Sequence, residues 1–225
     1  MNATQLKVIG IVSMTIDHIG YFLFPQMTVL RMIGRLAYPI FAYMIAEGCR
    51  YTRNNVRYFC TMFAIACVCS AAAYFAERSR YQSIFTTFSC AMLLIFALDA
   101  AAKTIEGARK ILWEVSAALL VFLYFSVFQL RMIPGLETDY GFLGIITPVL
   151  VWLGRSKAEK LLGLALGLSL LSAELGAVQF CSLAAVALLY FYNGKRGNHS
   201  LKWAFYVYYP LHIAALYGIA QIAPW

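Results

Sequence analysis

The stretch IFTTFSCAMLLIFALDAA, residues 84–101, carries no charge until Asp99. At about 1.5 Å of rise per residue, a helix of that length crosses most of a hydrocarbon core about 30 Å thick. The run does not alternate with period two, so it reads as a spanning helix and not as a barrel strand. Eight more runs of the same kind flank it, at about 6–24, 29–49, 58–76, 112–130, 140–154, 160–173, 176–193 and 203–222. The sixth and seventh runs in chain order are short and leave room for a tilted, re-entrant or merged segment. The connections are short throughout. The expected fold is therefore all-α: one polytopic transmembrane helical bundle of about nine spans, forming a single integral-membrane domain over residues 1–225.

Composition agrees. Of 225 residues, 62% are hydrophobic and 12% are charged, against about 25% charged in a soluble domain. The eighteen basic residues test the span count. With the N-terminus cytoplasmic, thirteen fall on the cytoplasmic side: Lys7, Arg50, Arg53, Arg57, Lys103, Arg109, Lys110, Arg155, Lys157, Lys160, Lys195, Arg196 and Lys202. Three fall outside, Arg78, Arg80 and Arg131, while Arg31 and Arg35 lie within the second span. Such a bias is the positive-inside rule, and a wrong helix count would scramble it. The net charge of +8 is thereby explained by short membrane-flanking loops and calls for no nucleic-acid partner. The first run reads as a permanent span rather than a cleaved signal, because Asp17 and His18 interrupt it and no small-x-small site follows. The expected location is a bacterial cytoplasmic (inner) membrane.

The six cysteines, at 49, 60, 67, 69, 90 and 181, show no paired zinc spacing, so no metal site is expected. The Walker A, G-x-G-x-x-G and G-x-S-x-G motifs are absent.

Ionisable residues inside spans are costly, and each is a candidate for function. Asp99, Glu114 and Glu174 lie near span ends, where water is in reach. The others gather by depth. From the inner boundary, Asp17 and His18 lie roughly 17–18 Å up, Arg35 roughly 21 Å and His212 roughly 14 Å. Arg31 lies one turn from Arg35 on the same face. Pro39 removes the helical partner of the Arg35 carbonyl and is expected to kink the second span, and Pro210 does the same for Tyr206. Asp17 and His18 point about 100° apart on a helix, so an arginine is the better partner for Asp17. Glu47, Arg50 and Arg53 form a charged inner mouth, read equally as an interface anchor or as a phosphate-binding group.

A histidine in such a bundle can take and return a proton at neutral pH, and an arginine can hold a developing oxyanion. That constellation suits acyl transfer. It suits proton carriage in a transporter or flippase as well, and depth alone leaves both open.

Several segments resemble a known family: Met14-Thr15-Ile16-Asp17-His18-Ile19-Gly20, Arg31-Met32-Ile33-Gly34-Arg35-Leu36-Ala37-Tyr38-Pro39, Glu47-Gly48 and Tyr208-Tyr209-Pro210-Leu211-His212. Their order is similar to that of the TraX family of bacterial multi-spanning membrane proteins, densely at both ends and thinly in the middle. The resemblance implies an acyltransferase that uses acetyl-CoA, since the family's named member acetylates the N-terminus of conjugative pilin. On that footing His18, Asp17, Arg35 and His212 are the expected catalytic residues. Arg31, Glu47, Arg50, Arg53, Lys195 and Arg196 are the expected acetyl-CoA contacts. The acceptor would be an amine or hydroxyl of a protein, peptide or glycan at the outer half of the membrane.

Overall fold

The computed structural model describes residues 1–197 and 202–222, apart from the side chains of Glu77, Lys202, Trp203 and Ala204. It is helical, and the described residues hold no strand beyond one isolated bridge between Gln82 and Thr138. Helices occupy every one of the nine apolar runs. Four helical stretches are long and apolar enough to cross a membrane: Thr28–Tyr51, Asn55–Ala76, Ile84–Lys103 and Ala108–Gln129. The chain gathers into two compact units, Met1–Met44 with Leu161–Trp225, and Ile45–Lys160.

The first unit opens on α1, Ala3–Phe22. Asn2 caps it: its side chain accepts from the Gln5 N–H while the Gln5 side chain accepts from the Asn2 N–H, each at 2.9 Å. Two of the orphan donors of a helix start are thus satisfied. Further along, α2 covers Thr28–Gly34 and α3 covers Ala37–Tyr51, of which the part up to Met44 belongs to this unit. The kink expected from Pro39 falls at Arg35 and Leu36, in the turn that precedes the proline, within the helical stretch Thr28–Tyr51. Pro39 then stands in the first turn of α3, where its missing N–H has no helical partner to lose. The C-terminal half of the unit comprises α8 (Lys157–Leu175) from Leu161 on, a 3-10 helix (Ala177–Leu183), α9 (Ala184–Tyr190) and α10 (Lys202–Ile222). Gly176, at φ +91°, makes the turn between α8 and the 3-10 helix, a conformation that glycine adopts without strain. Helix α10 runs on through Pro210; a proline inside a helix removes one backbone bond to the preceding turn without ending the helix. Leu6, Ile40, Leu164, Leu168, Leu171 and Leu189 form the fully buried core of the unit.

The second unit is built around α5, Ile84–Lys103. It packs against α4 (Asn55–Glu77), α6 (Ala108–Tyr124) and α7 (Gly141–Leu153). A π turn over Phe125–Gln129 extends α6. Phe85, Phe88, Met92 and Ile95 of α5 are fully buried, as are Met62 of α4 and Ile145 of α7. In α5, 56% of the apolar window is buried, against 11% in α4 and 17% in α6. So α5 supplies the interior, and α4 and α6 turn apolar side chains such as Phe75 and Phe122 outward. Outward apolar faces on helices of spanning length belong to a lipid environment. The chain is a membrane protein.

Candidate active site of the first unit

Helix α1 places Thr15, Asp17 and His18 within one turn of each other, and α10 brings Tyr208, Tyr209 and His212 to them. Nδ1 of His18 lies 2.8 Å from Nε2 of His212. On the other side of the His212 ring, Nδ1 lies 2.9 Å from the carbonyl oxygen of Tyr208. A carbonyl only accepts, so Nδ1 of His212 carries the proton. With both rings neutral, Nε2 of His212 is then an acceptor, and Nδ1 of His18 must be the donor. That leaves Nε2 of His18 with its lone pair. One backbone carbonyl therefore sets the tautomers of two rings and gives His18 the form a general base needs.

The rings are held in place by their neighbours. Tyr208 stacks on His212 at 4.8 Å between centroids and 6° between planes. The Thr15 hydroxyl donates to the Ile11 carbonyl at 2.8 Å, so the Tyr208 hydroxyl donates the 2.7 Å bond to Thr15. Tyr209 meets the His18 ring edge-on at 6.1 Å, and Phe22 lies 6.4 Å from it.

Asp17 is held by arginine, as its position beside His18 requires. Arg31 Nη1 reaches its Oδ2 at 2.5 Å and its backbone carbonyl at 3.0 Å. Arg35 Nη2 stands 3.8 Å from Oδ1. Arg31, expected among the acetyl-CoA contacts, is thus the closer partner of Asp17, and its guanidinium also lies 5.3 Å from the centre of the Tyr21 ring. Gly34 makes this approach of α2 to α1 feasible, because a Cβ there would stand 2.2 Å from the Asp17 Cβ. Asp17, His18, Arg35 and His212 therefore come together within one unit, as the depth argument required.

The inner-mouth residues do not act as one group. Lys195 and Arg196 are exposed and lie in the first unit, where their carbonyls accept from the Ala3 N–H and the Thr4 hydroxyl at the start of α1. Glu47, Arg50 and Arg53 lie in the second unit. Arg53 is exposed. Arg50 donates through Nη2 to the carbonyls of Trp152 and Gly154, closing the C-terminal end of α7. Glu47 pairs with Lys160 at 2.6 Å, both side chains nearly buried. Charge counting had placed Lys160 among the loop cations. Lys160→Met leaves a buried carboxylate unpaired and should destabilise the protein by about 3–5 kcal/mol. Glu47→Leu added to it should recover most of that loss. Thermal unfolding of the two variants in detergent checks both outcomes.

Among the described residues, no cluster of three or more histidine, cysteine or acidic side chains has a metal-binding arrangement. Sequence reading missed Thr15 and Tyr208. Their signals were spacings of three and four to His18 and His212, which put each pair on one helix face.

Comparison with known proteins gives the family. A probable fimbrial assembly protein FimC (serogroup H1) of Dichelobacter nodosus is 27% identical over 240 residues, covering 96% of this chain and 94% of that protein. An uncharacterised protein of Rickettsia prowazekii (strain Madrid E) is 50% identical over 38 residues, which is 17% of this chain and 15% of its own length. No solved structure matches the chain. The family described as TraX protein matches residues 2–220, and the chain belongs to it.

Proposed function

We propose that this protein is a membrane-embedded acyltransferase of the bacterial cytoplasmic membrane. It takes an acetyl group from cytoplasmic acetyl-CoA and passes it to an amine or hydroxyl acceptor at the outer half of the bilayer. The observation that carries the reading is the His18–His212 pair, whose fixed tautomers leave a basic nitrogen on His18. With an amine acceptor, Nε2 of His18 takes the N–H proton as the nitrogen attacks the thioester carbonyl carbon. The C–S bond then breaks, and the thiolate of CoA receives that proton from His18. Asp17 with its two arginines fixes the charge beside the histidine. Lys195 and Arg196, exposed in the same unit, are the cations proposed to meet the phosphates of CoA. The named fimbrial assembly relative supports a pilin N-terminus as the acceptor to try first.

The test is incubation of the purified protein in nanodiscs with radiolabelled acetyl-CoA and a peptide bearing a pilin N-terminus. Labelled peptide and stoichiometric CoA release are expected. A folded sample that neither binds acetyl-CoA nor releases CoA overturns the reading. Flux of a solute driven by a proton gradient, without CoA release, would assign the histidine pair to transport instead.

The proposal includes nine spans and a cytoplasmic N-terminus. An alkaline phosphatase fused after Arg131 should then be active, and one fused after Lys110 inactive, because that enzyme matures only outside the reducing cytoplasm. The opposite pattern inverts the orientation.

A further inference from the structure

Two polar side chains of the 3-10 helix have no place in the proton transfer described above. Gln179 is 2% exposed and Ser182 is fully buried. Nε2 of Gln179 and Oγ of Ser182 have no hydrogen-bond partner among the described residues. Side chains three apart eclipse in a 3-10 helix, so both stand on one face. Buried polar atoms in native proteins are nearly always paired, so two orphans on one short element call for a partner. The element packs against α2. Gln179 lines a pocket with Arg35, Leu175 and Val178. Its lining thus brings an amide and a guanidinium, both donors, beside two apolar side chains, and it opens to the surface where Leu175 is half exposed. The carboxylate of Asp17, next in sequence to His18, stands 3.8 Å from Arg35.

We propose that this pocket binds the acyl end of the thioester: Gln179 and Arg35 donate to the carbonyl oxygen, and Leu175 and Val178 flank the short alkyl tail. The assignment rests on the acyl-transfer reading and adds its oxyanion site and its acyl-length limit. When the acceptor nitrogen attacks the carbonyl carbon, the C=O π pair moves onto oxygen and meets these donors. When the C=O bond re-forms, the C–S bond breaks and CoA leaves with the proton carried by His18. Donors placed where charge develops act on the transition state more than on the ground state, so they raise kcat and leave KM nearly alone.

The experiment compares the full-length protein with Gln179→Leu and Val178→Ala in nanodiscs, using acetyl-CoA and butyryl-CoA as donors and a non-transferable ketone analogue of acetyl-CoA as a binding probe. Gln179→Leu should lower kcat by about 10²-fold, the usual loss for one oxyanion donor, with KM nearly unchanged. Its thermal stability should hold or rise, because an apolar side chain replaces an unpaired buried donor. A residue with a merely structural role would show the reverse pattern. Val178→Ala should shift preference toward butyryl-CoA by about 10-fold, as one added pocket volume allows. If the wild type transfers acetyl and both variants match it in kcat and in chain-length preference, the pocket assignment is overturned and acyl transfer stands. If the wild type neither releases CoA nor binds the ketone analogue, both fall together.

Discussion

His18→Ala should lower CoA release by about 10²–10⁴-fold while leaving the affinity for acetyl-CoA within a few-fold. The range is what a positioned general base contributes. The pair geometry makes the expectation sharper than a simple loss of imidazole. His18 holds its reactive nitrogen free because Nδ1 is donated to His212, and His212 can accept because its own proton is committed to the Tyr208 carbonyl. His212→Ala should therefore slow transfer less than His18→Ala, since the base survives but its tautomer and orientation are no longer imposed. Tyr208→Phe keeps the ring stacked on His212 and loses the bond to Thr15, so it should be the mildest of the three. The measurement is single-turnover CoA release, with folding checked by thermal unfolding in detergent. Full activity in a folded His18→Ala sample ends the general-base assignment. Equal losses in all three would instead make the aromatic cluster a structural unit.

The order of these effects follows from features of very different visibility in the sequence. The helical runs were legible because lipid imposes one requirement on every span, a length of apolar residues, and charged side chains mark the ends. The site residues with charge were legible for the converse reason: Asp17, His18, Arg35 and His212 stand out against apolar neighbours. Partner choice was not. Arg31 and Arg35 share a helix face, and whether one or both meet Asp17 depends on how closely α2 approaches α1. Gly34 sets that approach through the absence of a Cβ, which no charge pattern records. The interruption at Arg35–Leu36 is legible in Pro39, because a proline disturbs the turn that precedes it. Arg50 looked like a phosphate ligand because its acceptors, the carbonyls of Trp152 and Gly154, are backbone atoms that every residue carries. Gln179 gave no signal beyond being an amide in an apolar run.

Asp17→Ala should be the most destabilising single change in the first unit, at about 3–5 kcal/mol. The side chains of Asp17, Arg31 and Arg35 are 15%, 24% and 16% exposed, so all three charges are largely withdrawn from water. Removing the carboxylate leaves Arg31 its bond to the residue-17 backbone carbonyl and its place by the Tyr21 ring, but takes from both guanidiniums the negative charge that offsets their desolvation. Asp17→Asn keeps an oxygen for Arg31 and loses only the charge, so it should fall between Asp17→Ala and the wild type. The distances rank the arginines as well. Arg31 makes two hydrogen bonds to Asp17, one of them charge-assisted at 2.5 Å, whereas Arg35 is an ion-pair neighbour at 3.8 Å. Arg31→Met should therefore lower the unfolding temperature more than Arg35→Met. Arg35→Met should in turn damage turnover more than stability if its guanidinium faces the acyl carbonyl. Thermal unfolding and CoA release, measured on the same four variants, separate these roles. A Tm for Asp17→Ala equal to that of the wild type would mean that the three charges are solvated in the membrane, through a water-filled cavity, and the desolvation argument for the whole cluster would fall with it.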